Sequence, residues 1–358
     1  MFKVQEYLQR CKYQCALTNL KLNYDIKIVE NNYDNRIILN YKIIGSPRSD
    51  ITNECRALTL DKTNFNLIAR SFGRFFNLGE YLQHTKKFRW DMPIKTWDKI
   101  DGSLIQVYFY NGWKIQTRGS FADGPVNKDE IITWEELIRP MLDFKKFAMD
   151  IVYTFEFCSK YNQVVQLYEE PKLYLLSAFQ GYHELDSQIV DALGKEVGVE
   201  RPKQYNFRDT IDVQAHIADK VRNDMTYEGV VLMDCNGMRL KVKSPKYLAL
   251  SRFNDPNSNR LKNIVTLLLD GELDEVLVYF PHIEKEAIKI QRKIERAMQE
   301  VDNLWYVFGE DKLLDQKQFA ISVKDHPLSS LLFLAKKKGG NPKDYINEDH
   351  LIKNLKFK

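Results

Sequence analysis

The sequence predicts an α+β domain of antiparallel sheets plus helices over residues 1–250, followed by an all-α domain over residues 251–358. Three observations lead there. Short runs rich in β-branched and aromatic residues crowd the first part of the chain. Two Asn-Gly pairs, Asn111-Gly112 and Asn236-Gly237, each sit between such runs, the strongest short hairpin signal. Beyond about residue 251 the apolar residues fall at steps of three and four, the period of a helix.

In order, Tyr41–Gly45, Ala57–Leu60, Leu67–Ser71, Leu104–Tyr110, Trp113–Thr117, Val152–Cys158 and Tyr174–Phe179 read as strands. Asp129–Ala148 and Ser187–Leu193 read as helical. In the second domain Ile283, Ala287, Ile290, Ile294, Ala297, Val301, Leu304 and Phe308 form an a/d seam along one long helix. Further helices run over Gln316–Val323 and Leu328–Lys338, and Gly339-Gly340-Asn341-Pro342 breaks the run before a short basic end. The seam suits helix-on-helix core better than an oligomeric coiled coil, because it spans only about four heptads and ends at a glycine.

Across 358 residues, 44% hydrophobic and 28% charged, the composition is that of an ordinary globular chain with enough apolar material for a core. A net charge of +4 permits a polyanionic partner without requiring one. The five cysteines form no CxxC pair and the six histidines no HExxH motif, which argues against a zinc site and for a reducing compartment. The start lacks an apolar signal-like stretch and no run is long enough to cross a bilayer, so the expected location is the cytoplasm, that of a host if the chain is viral, with no membrane partner.

The chemistry gathers in a few segments. Lys99-Ile100-Asp101-Gly102-Ser103 is followed far downstream by Glu228-Gly229 and Lys241-Val242-Lys243. A nucleophilic lysine needs cations to neutralise phosphate and a carboxylate to handle metal or proton, and these segments supply both. Alone, Lys-x-Asp-Gly is a weak signal, usually just a solvated loop. With Asn111-Gly112 as a two-residue turn, Tyr110 faces Trp113 and Ile105 faces Arg118. With Asn236-Gly237 as the second turn, Leu232 pairs with Lys241 and Val230 with Lys243. That gives a core face of Val231, Met233, Met238, Leu240 and Val242, with Glu228, Arg239, Lys241 and Lys243 on the other. Glu156, within Phe155-Glu156-Phe157, reads on its own as the wet face of a half-buried strand. Arg56 in Glu54-Cys55-Arg56, and then Arg70 and Arg74 amid Phe72, Phe75 and Phe76, are arginines of the kind that grip phosphates or edge a core.

The order Glu54-Cys55-Arg56, Arg70-Ser71-Phe72-Gly73-Arg74-Phe75-Phe76-Asn77, Lys99 to Ser103, Arg118-Gly119-Ser120, Phe155-Glu156-Phe157, an apolar strand at 173–179, Glu228-Gly229 and Lys241-Val242-Lys243 resembles the covalent nucleotidyltransferases. Within them it resembles the phage-type ATP-dependent RNA ligases that repair cleaved tRNA anticodon loops. The likeness covers roughly residues 50 to 250 and lies in the ordered set rather than in any one motif.

The resemblance implies a nucleotidyltransferase (ATP-grasp-like ligase) domain, ATP and Mg²⁺ (or Mn²⁺) as cofactors, and RNA with 5′-phosphate and 3′-hydroxyl ends as substrate, with cleaved tRNA as one source. It also implies an end-healing kinase/phosphatase as partner. Lys99 would attack the α-phosphate of ATP to give lysyl-AMP; AMP would pass to the RNA 5′-phosphate, and a 3′-hydroxyl would displace it. Lys241, Lys243 and the metal would offset the phosphate charge. Glu228 and Glu156 would hold metal-bound water or ribose, Gly102 would allow close backbone approach, and Arg56, Arg74 and Arg118 would meet phosphates. Phe76 would pack near the nucleotide, while Tyr247 and Asp270 would touch metal or triphosphate. The helical domain would recognise RNA. Departures are Arg74 and Arg118, where the family often has lysine, and Gln163, where an arginine is common.

DNA ligases and capping guanylyltransferases share the lysine logic but usually continue into an OB-fold barrel, whereas a heptad-patterned helix follows here. A non-catalytic RNA- or nucleotide-binding protein is the alternative of a different class, with Lys336-Lys337-Lys338 and the C-terminal lysines as a phosphate-tracking patch.

Overall fold

The computed structural model describes residues 1–10, 13–42, 46–126, 131–163, 165–166, 168–224, 226–244, 247, 260–271, 273, 277, 283–309 and 316–357. The chain divides into two units, Met1–Ser251 and Arg252–Lys358.

The first unit holds three sheets. Strands β1 (Ile26–Glu30), β2 (Arg36–Tyr41), β3 (Leu58–Asp61) and β4 (Leu67–Ala69) form an antiparallel meander. Helices Lys3–Arg10 and Tyr13–Tyr24 cover one face, where Val4, Leu8, Ala16 and Leu20 pack on Ile37, Leu39, Leu58 and Leu60.

The later strands are β5 (Phe76–Asn77), β6 (Lys95–Asp98), β7 (Ser103–Phe109), β8 (Trp113–Thr117), β9 (Ile151–Cys158), β10 (Lys172–Gln180), β11 (His183–Glu184), β12 (Gln204–Tyr205), β13 (Gly229–Met233) and β14 (Arg239–Lys243). They build a second sheet in the order β11-β10-β9-β7-β8 and a third in the order β12-β6-β13-β14-β5. Every pairing is antiparallel except β14 with β5, where Lys241 lies beside Asn77. In the third sheet Val230, Leu232, Leu240 and Val242 point to one side and meet Val213, Ile217 and Val221 of helix Thr210–Asn223. That helix starts at Asp209, whose carboxylate accepts from the N–H groups of Ile211 and Asp212. Lys99 to Gly102 joins β6 of the third sheet to β7 of the second.

Both Asn-Gly pairs do turn the chain, but each loop has three residues rather than two. Phe109 faces Trp113 and Ile105 faces Thr117, so Arg118 lies one place past its expected partner. In the other hairpin Val231 faces Lys241 and Leu232 faces Leu240. The cause is local: Asp234 accepts from the N–H groups of both Asn236 and Met238 and its own N–H donates to the Met238 carbonyl, closing the loop one residue early. A one-residue slip turns a strand over, so the core face carries Val230 and Leu232, and Val231 and Met233 lie on the lysine side.

The helix expected over Asp129–Ala148 is also corrected. Residues 127–130 lie outside the described ones, and only Trp134–Ile138 is α-helical, opened by a capping box between Thr133 and Glu136. Pro140 and Asp143 then break the rest into two single 3₁₀ turns. The strand expected to Gly45 ends at Tyr41, with residues 43–45 outside the described ones.

In the second unit, helices span Arg260–Asp270, Glu284–Leu304, Gln316–Val323, Ser329–Lys338 and Glu348–Leu355. Seam residues Ile283, Ala287, Ile290, Ile294, Ala297 and Val301 are buried, and their helix packs on Arg260–Asp270 and Glu348–Leu355 of the same unit. The last two expected seam residues differ: Leu304 and Phe308 are only partly buried, and Phe308 lies in a π-helical turn past the end of the α-helix. Gly339, at φ 80°, ends the basic helix. Among the described residues no helix is long and apolar enough to cross a membrane.

Candidate active site

Three neighbouring strand ends bring Lys99, Glu228 and Lys243 together. β6 pairs with β13, and just beyond it the Lys99 N–H donates to the Gly229 carbonyl at 2.8 Å. On the other side β14 pairs with β13, Gly229 facing Lys243, and the Ser244 N–H donates to the Glu228 carbonyl at 2.7 Å. Gly229 has φ 135°, a conformation that breaks strand alternation and turns the preceding side chain to the lysine face.

Glu228 Oε1 then takes both ammonium groups, Lys99 Nζ at 2.7 Å and Lys243 Nζ at 3.2 Å. Its side chain is 4% exposed, and Oε2 is buried with no hydrogen-bond partner among the described residues. A buried carboxylate oxygen left open in this way suits a hard cation or a hydroxyl donor.

The rest of the lysine loop is held tightly. Asp101 Oδ2 accepts from the N–H groups of Val165 and Gln166, and Oδ1 accepts from the Tyr247 hydroxyl, each at 2.9 Å. Tyr247 is buried, and Lys243 Nζ lies 5.6 Å from its ring centre. Gly102 runs against β9: a Cβ there would come within 2.5 Å of the Phe157 carbonyl and 2.8 Å of Cys158 Sγ. Ser103 accepts from the Asn162 side-chain amide at 3.0 Å.

Glu156 projects from β9 opposite Leu104. Burial pushes its carboxyl up to about 7; Lys99 and Arg56 oppose the rise and Glu228 and Asp101 add to it. An acid raised in this way favours the folded state below the ordinary 4.5, and that contribution is lost as pH rises through about 7. Glu156→Gln is therefore expected to be more stable than the parent at pH 8, by about 2 kcal/mol, with the gap closing on acidification. Urea unfolding across pH 5 to about 8 checks it; a variant less stable at pH 8 would mean that Lys99 and Arg56 hold the carboxylate ionised.

Beside these groups lies a fan of cations. The Arg118 guanidinium stacks on Tyr41 at 4.5 Å and Arg74 on the same ring at 4.6 Å. Arg56 stacks on Phe72 and Phe75 at 4.7 and 4.9 Å, and Lys241 Nζ lies 5.9 Å from the Phe75 ring centre. Arg56 Nε and Arg74 Nη1 are buried without hydrogen-bond partners, and among the described residues no carboxylate ion-pairs with Arg56, Arg74 or Arg118. Burial lowers Arg56 to about 10 and lowers Arg74 as well, with Arg118 pushing both the same way. At Tyr41 burial works upward, but Arg118, Arg56, Arg74 and Lys241 together carry the phenol downward. Three arginines gathered with no carboxylate among the described residues in ion-pair contact suit an anion.

The sequence singled out most of this set, and the structure groups Lys99, Glu228 and Lys243 by direct contact and Arg56, Arg74, Arg118 and Lys241 around Tyr41. Phe76 is different: 1% exposed, between Arg74 and Arg48 and against Tyr81 and His84, it offers no face to a ligand and braces Arg74. Asp270 ends a helix of the second unit, and its side chain lies outside the described residues. Among the described residues no three acidic, histidine or cysteine groups cluster as a metal site. Sequence reasoning missed Tyr41, an ordinary strand residue with no motif around it.

Comparison with known proteins adds one deciding match. The family model described as RNA ligase matches residues 54–247, more than half of the chain. The chain belongs to the RNA ligase family. The match takes in every site residue of this family member named above except Tyr41 and Asp270. A "Putative bifunctional polynucleotide kinase/RNA ligase" of Autographa californica nuclear polyhedrosis virus is 31% identical over 301 residues, 76% of this chain and 41% of that protein. This RNA ligase family member thus spans less than half the length of that relative. An RNA ligase of Rhodothermus phage RM378 is 24% identical over 300 residues, 66% of this chain and 68% of the phage protein. Among solved structures, a "Putative ATP-dependent DNA ligase" of Aquifex aeolicus covers 81% of each chain at 13% identity with a TM-score of 0.48, too loose to discriminate anything.

Proposed function

We propose that this protein is an ATP-dependent RNA ligase acting through lysyl-AMP. The observation that carries the proposal is the contact of Lys99 with Glu228 and Lys243 beside an arginine fan that lacks carboxylate partners. The Lys99 ammonium sheds a proton before its nitrogen can attack, and Glu228 Oε1, 2.7 Å away, is within reach to accept it. The nitrogen then forms a bond to the α-phosphorus of ATP, and the bond to the pyrophosphate oxygen breaks, with pyrophosphate leaving. Arg56, Arg74, Arg118, Lys241 and Lys243 carry the charge of the phosphates.

AMP next passes from Lys99 to the 5′-phosphate of an RNA end, and a 3′-hydroxyl displaces it to form the phosphodiester. Glu228, through its open Oε2, and Glu156 are the residues that fit a divalent cation, Mg²⁺ or Mn²⁺. When bound, that ion offsets charge on the phosphate oxygens. Gly102 keeps the loop close to β9, and Phe76 holds Arg74 in place. In this proposal 1–250 is the adenylyltransferase domain, 251–358 recognises RNA, the substrates include cleaved tRNA in the cytoplasm, and a kinase/phosphatase heals the ends first. The viral relative, whose name joins a kinase to a ligase, supports that last step.

The test is a sealing assay with ATP and Mg²⁺ on RNA carrying 5′-phosphate and 3′-hydroxyl ends, beside nicked duplex DNA. RNA joining at least about tenfold faster than DNA joining is expected. DNA preferred over RNA would overturn the RNA assignment, and silence on both would overturn the ligase.

A further inference from the structure

Lys99 and Glu228 meet on one side of the third sheet, and the residues just before each of them meet on the other. Asp98 precedes Lys99 and pairs with Val230, so its side chain points to the face that helix Thr210–Asn223 covers. Tyr227 precedes Glu228 and packs on that same face. Its hydroxyl donates to Asp98 Oδ1 at 2.6 Å, a short bond to a charged acceptor. The second carboxylate oxygen accepts from the Tyr205 hydroxyl at 3.1 Å. His216 of the covering helix sets its Nε2 3.3 Å from the Tyr227 oxygen, and its ring packs on Tyr205 and Phe207.

This bond has a particular mechanical place. Gly229 follows Glu228, has no side chain to pack and stands at φ 135°, so nothing on its own Cα orients the glutamate. Orientation comes from the flanks: the Ser244 N–H on the Glu228 carbonyl at one side, and Tyr227 on Asp98 at the other. The Lys99 N–H on the Gly229 carbonyl lies between the front pair and the back pair. A carboxylate shared by two ammonium groups at 2.7 and 3.2 Å tolerates little displacement of either strand.

We infer that Asp98 and Tyr227 are positioning residues for the lysine chemistry: their hydrogen bond on the back of the sheet holds the Lys99 and Glu228 segments so that the two side chains meet on the front. The inference rests on the ligase reading above. Neither residue touches the reacting atoms; both act through the backbone of the residue that follows.

The experiment uses the full chain and two rates, lysyl-AMP formation from α-labelled ATP and sealing of RNA that already carries a 5′-adenylate. Lys99 is the nucleophile only in the first. For Tyr227→Phe, lysyl-AMP formation at saturating ATP is expected to fall about tenfold or more while KM for ATP stays within about twofold. Sealing of the pre-adenylylated RNA falls by less than about threefold. Asp98→Asn, which keeps an oxygen acceptor, retains lysyl-AMP formation within about threefold of the parent, and Asp98→Ala does not. Tyr205→Phe, which removes the other bond to the same carboxylate, stays within about twofold. Should Tyr227→Phe fold poorly in a thermal melt, the contrast between Asp98→Asn and Asp98→Ala decides. Equal loss of both rates, or a parental rate in Tyr227→Phe, overturns the inference. A parent protein that forms no lysyl-AMP at all overturns the ligase reading, and the inference with it.

Discussion

Lys99→Ala is expected to abolish covalent labelling by α-labelled ATP while leaving the fold intact. The lysine nitrogen is the only atom the proposed first step makes a bond with, and no neighbouring group can take its place: Lys243 is pinned to the same Glu228 oxygen from the far side, with its side chain 7% exposed. The fold survives because Lys99 is the more open partner, at 21%, and its loss still leaves Glu228 paired with Lys243. A cost of about 1 kcal/mol or less follows. Removing Glu228 is the harsher change, because two ammonium groups then lose the buried carboxylate they share, at about 3–5 kcal/mol. Denaturing electrophoresis after incubation with α-labelled ATP and Mg²⁺ reads the first outcome, and urea unfolding the second. Sealing of pre-adenylylated RNA supplies the internal control, since that step needs no nucleophilic lysine. A labelled band that persists in Lys99→Ala would move the nucleophile elsewhere and dismantle the proposed mechanism.

What was legible in the sequence was local. The seam from Ile283 to Val301 is a period within one helix, so the sequence order displays it directly and the structure buries it as expected. Helix Gln316–Val323 likewise needs only its own residues. The two Asn-Gly hairpins show where this stops. The turn residues place each reversal, but the register depends on which side chain captures the loop N–H groups, and at the second loop Asp234 captures two of them. The slip put Val230 and Leu232 in the core, against expectation. Glu228 still reaches the lysines, because Gly229 reverses the alternation a second time; the expected grouping of Glu228 with Lys243 held for a reason the strand pattern did not contain. The cation fan was half legible: Arg74 stands in an aromatic stretch and Arg56 in Glu54-Cys55-Arg56, but the ring on which Arg74 and Arg118 converge, Tyr41, comes from another strand. Nothing at Tyr41 itself distinguishes it from any strand tyrosine. Long-range juxtaposition of that kind is a property of the sheet topology, and no window of sequence carries it.

Gly229→Ala is expected to disable the site from within the backbone. An added Cβ would lie 2.1 Å from the Val242 carbonyl oxygen and 2.8 Å from the Lys243 Cα. Both are main-chain atoms of the neighbouring strand, so no rotamer change relieves the clash, and φ 135° is itself closed to an alanine. The strands must separate at this end, which breaks the Lys99 N–H bond to the Gly229 carbonyl and moves Glu228 away from both ammonium groups. A displacement of about 1 Å is enough to cost about 100-fold in lysyl-AMP formation, and the strain removes about 2–4 kcal/mol of stability. Gly237→Ala is the matched control. It too has a positive φ, 77°, but nothing lies within 4 Å of its Cβ position. There the cost is about 1–2 kcal/mol of backbone strain, with labelling by α-labelled ATP retained. If both variants lost stability equally and both still formed lysyl-AMP, contact between Lys99 and Glu228 would not be what makes the lysine reactive, and the arginine fan alone would have to account for the chemistry.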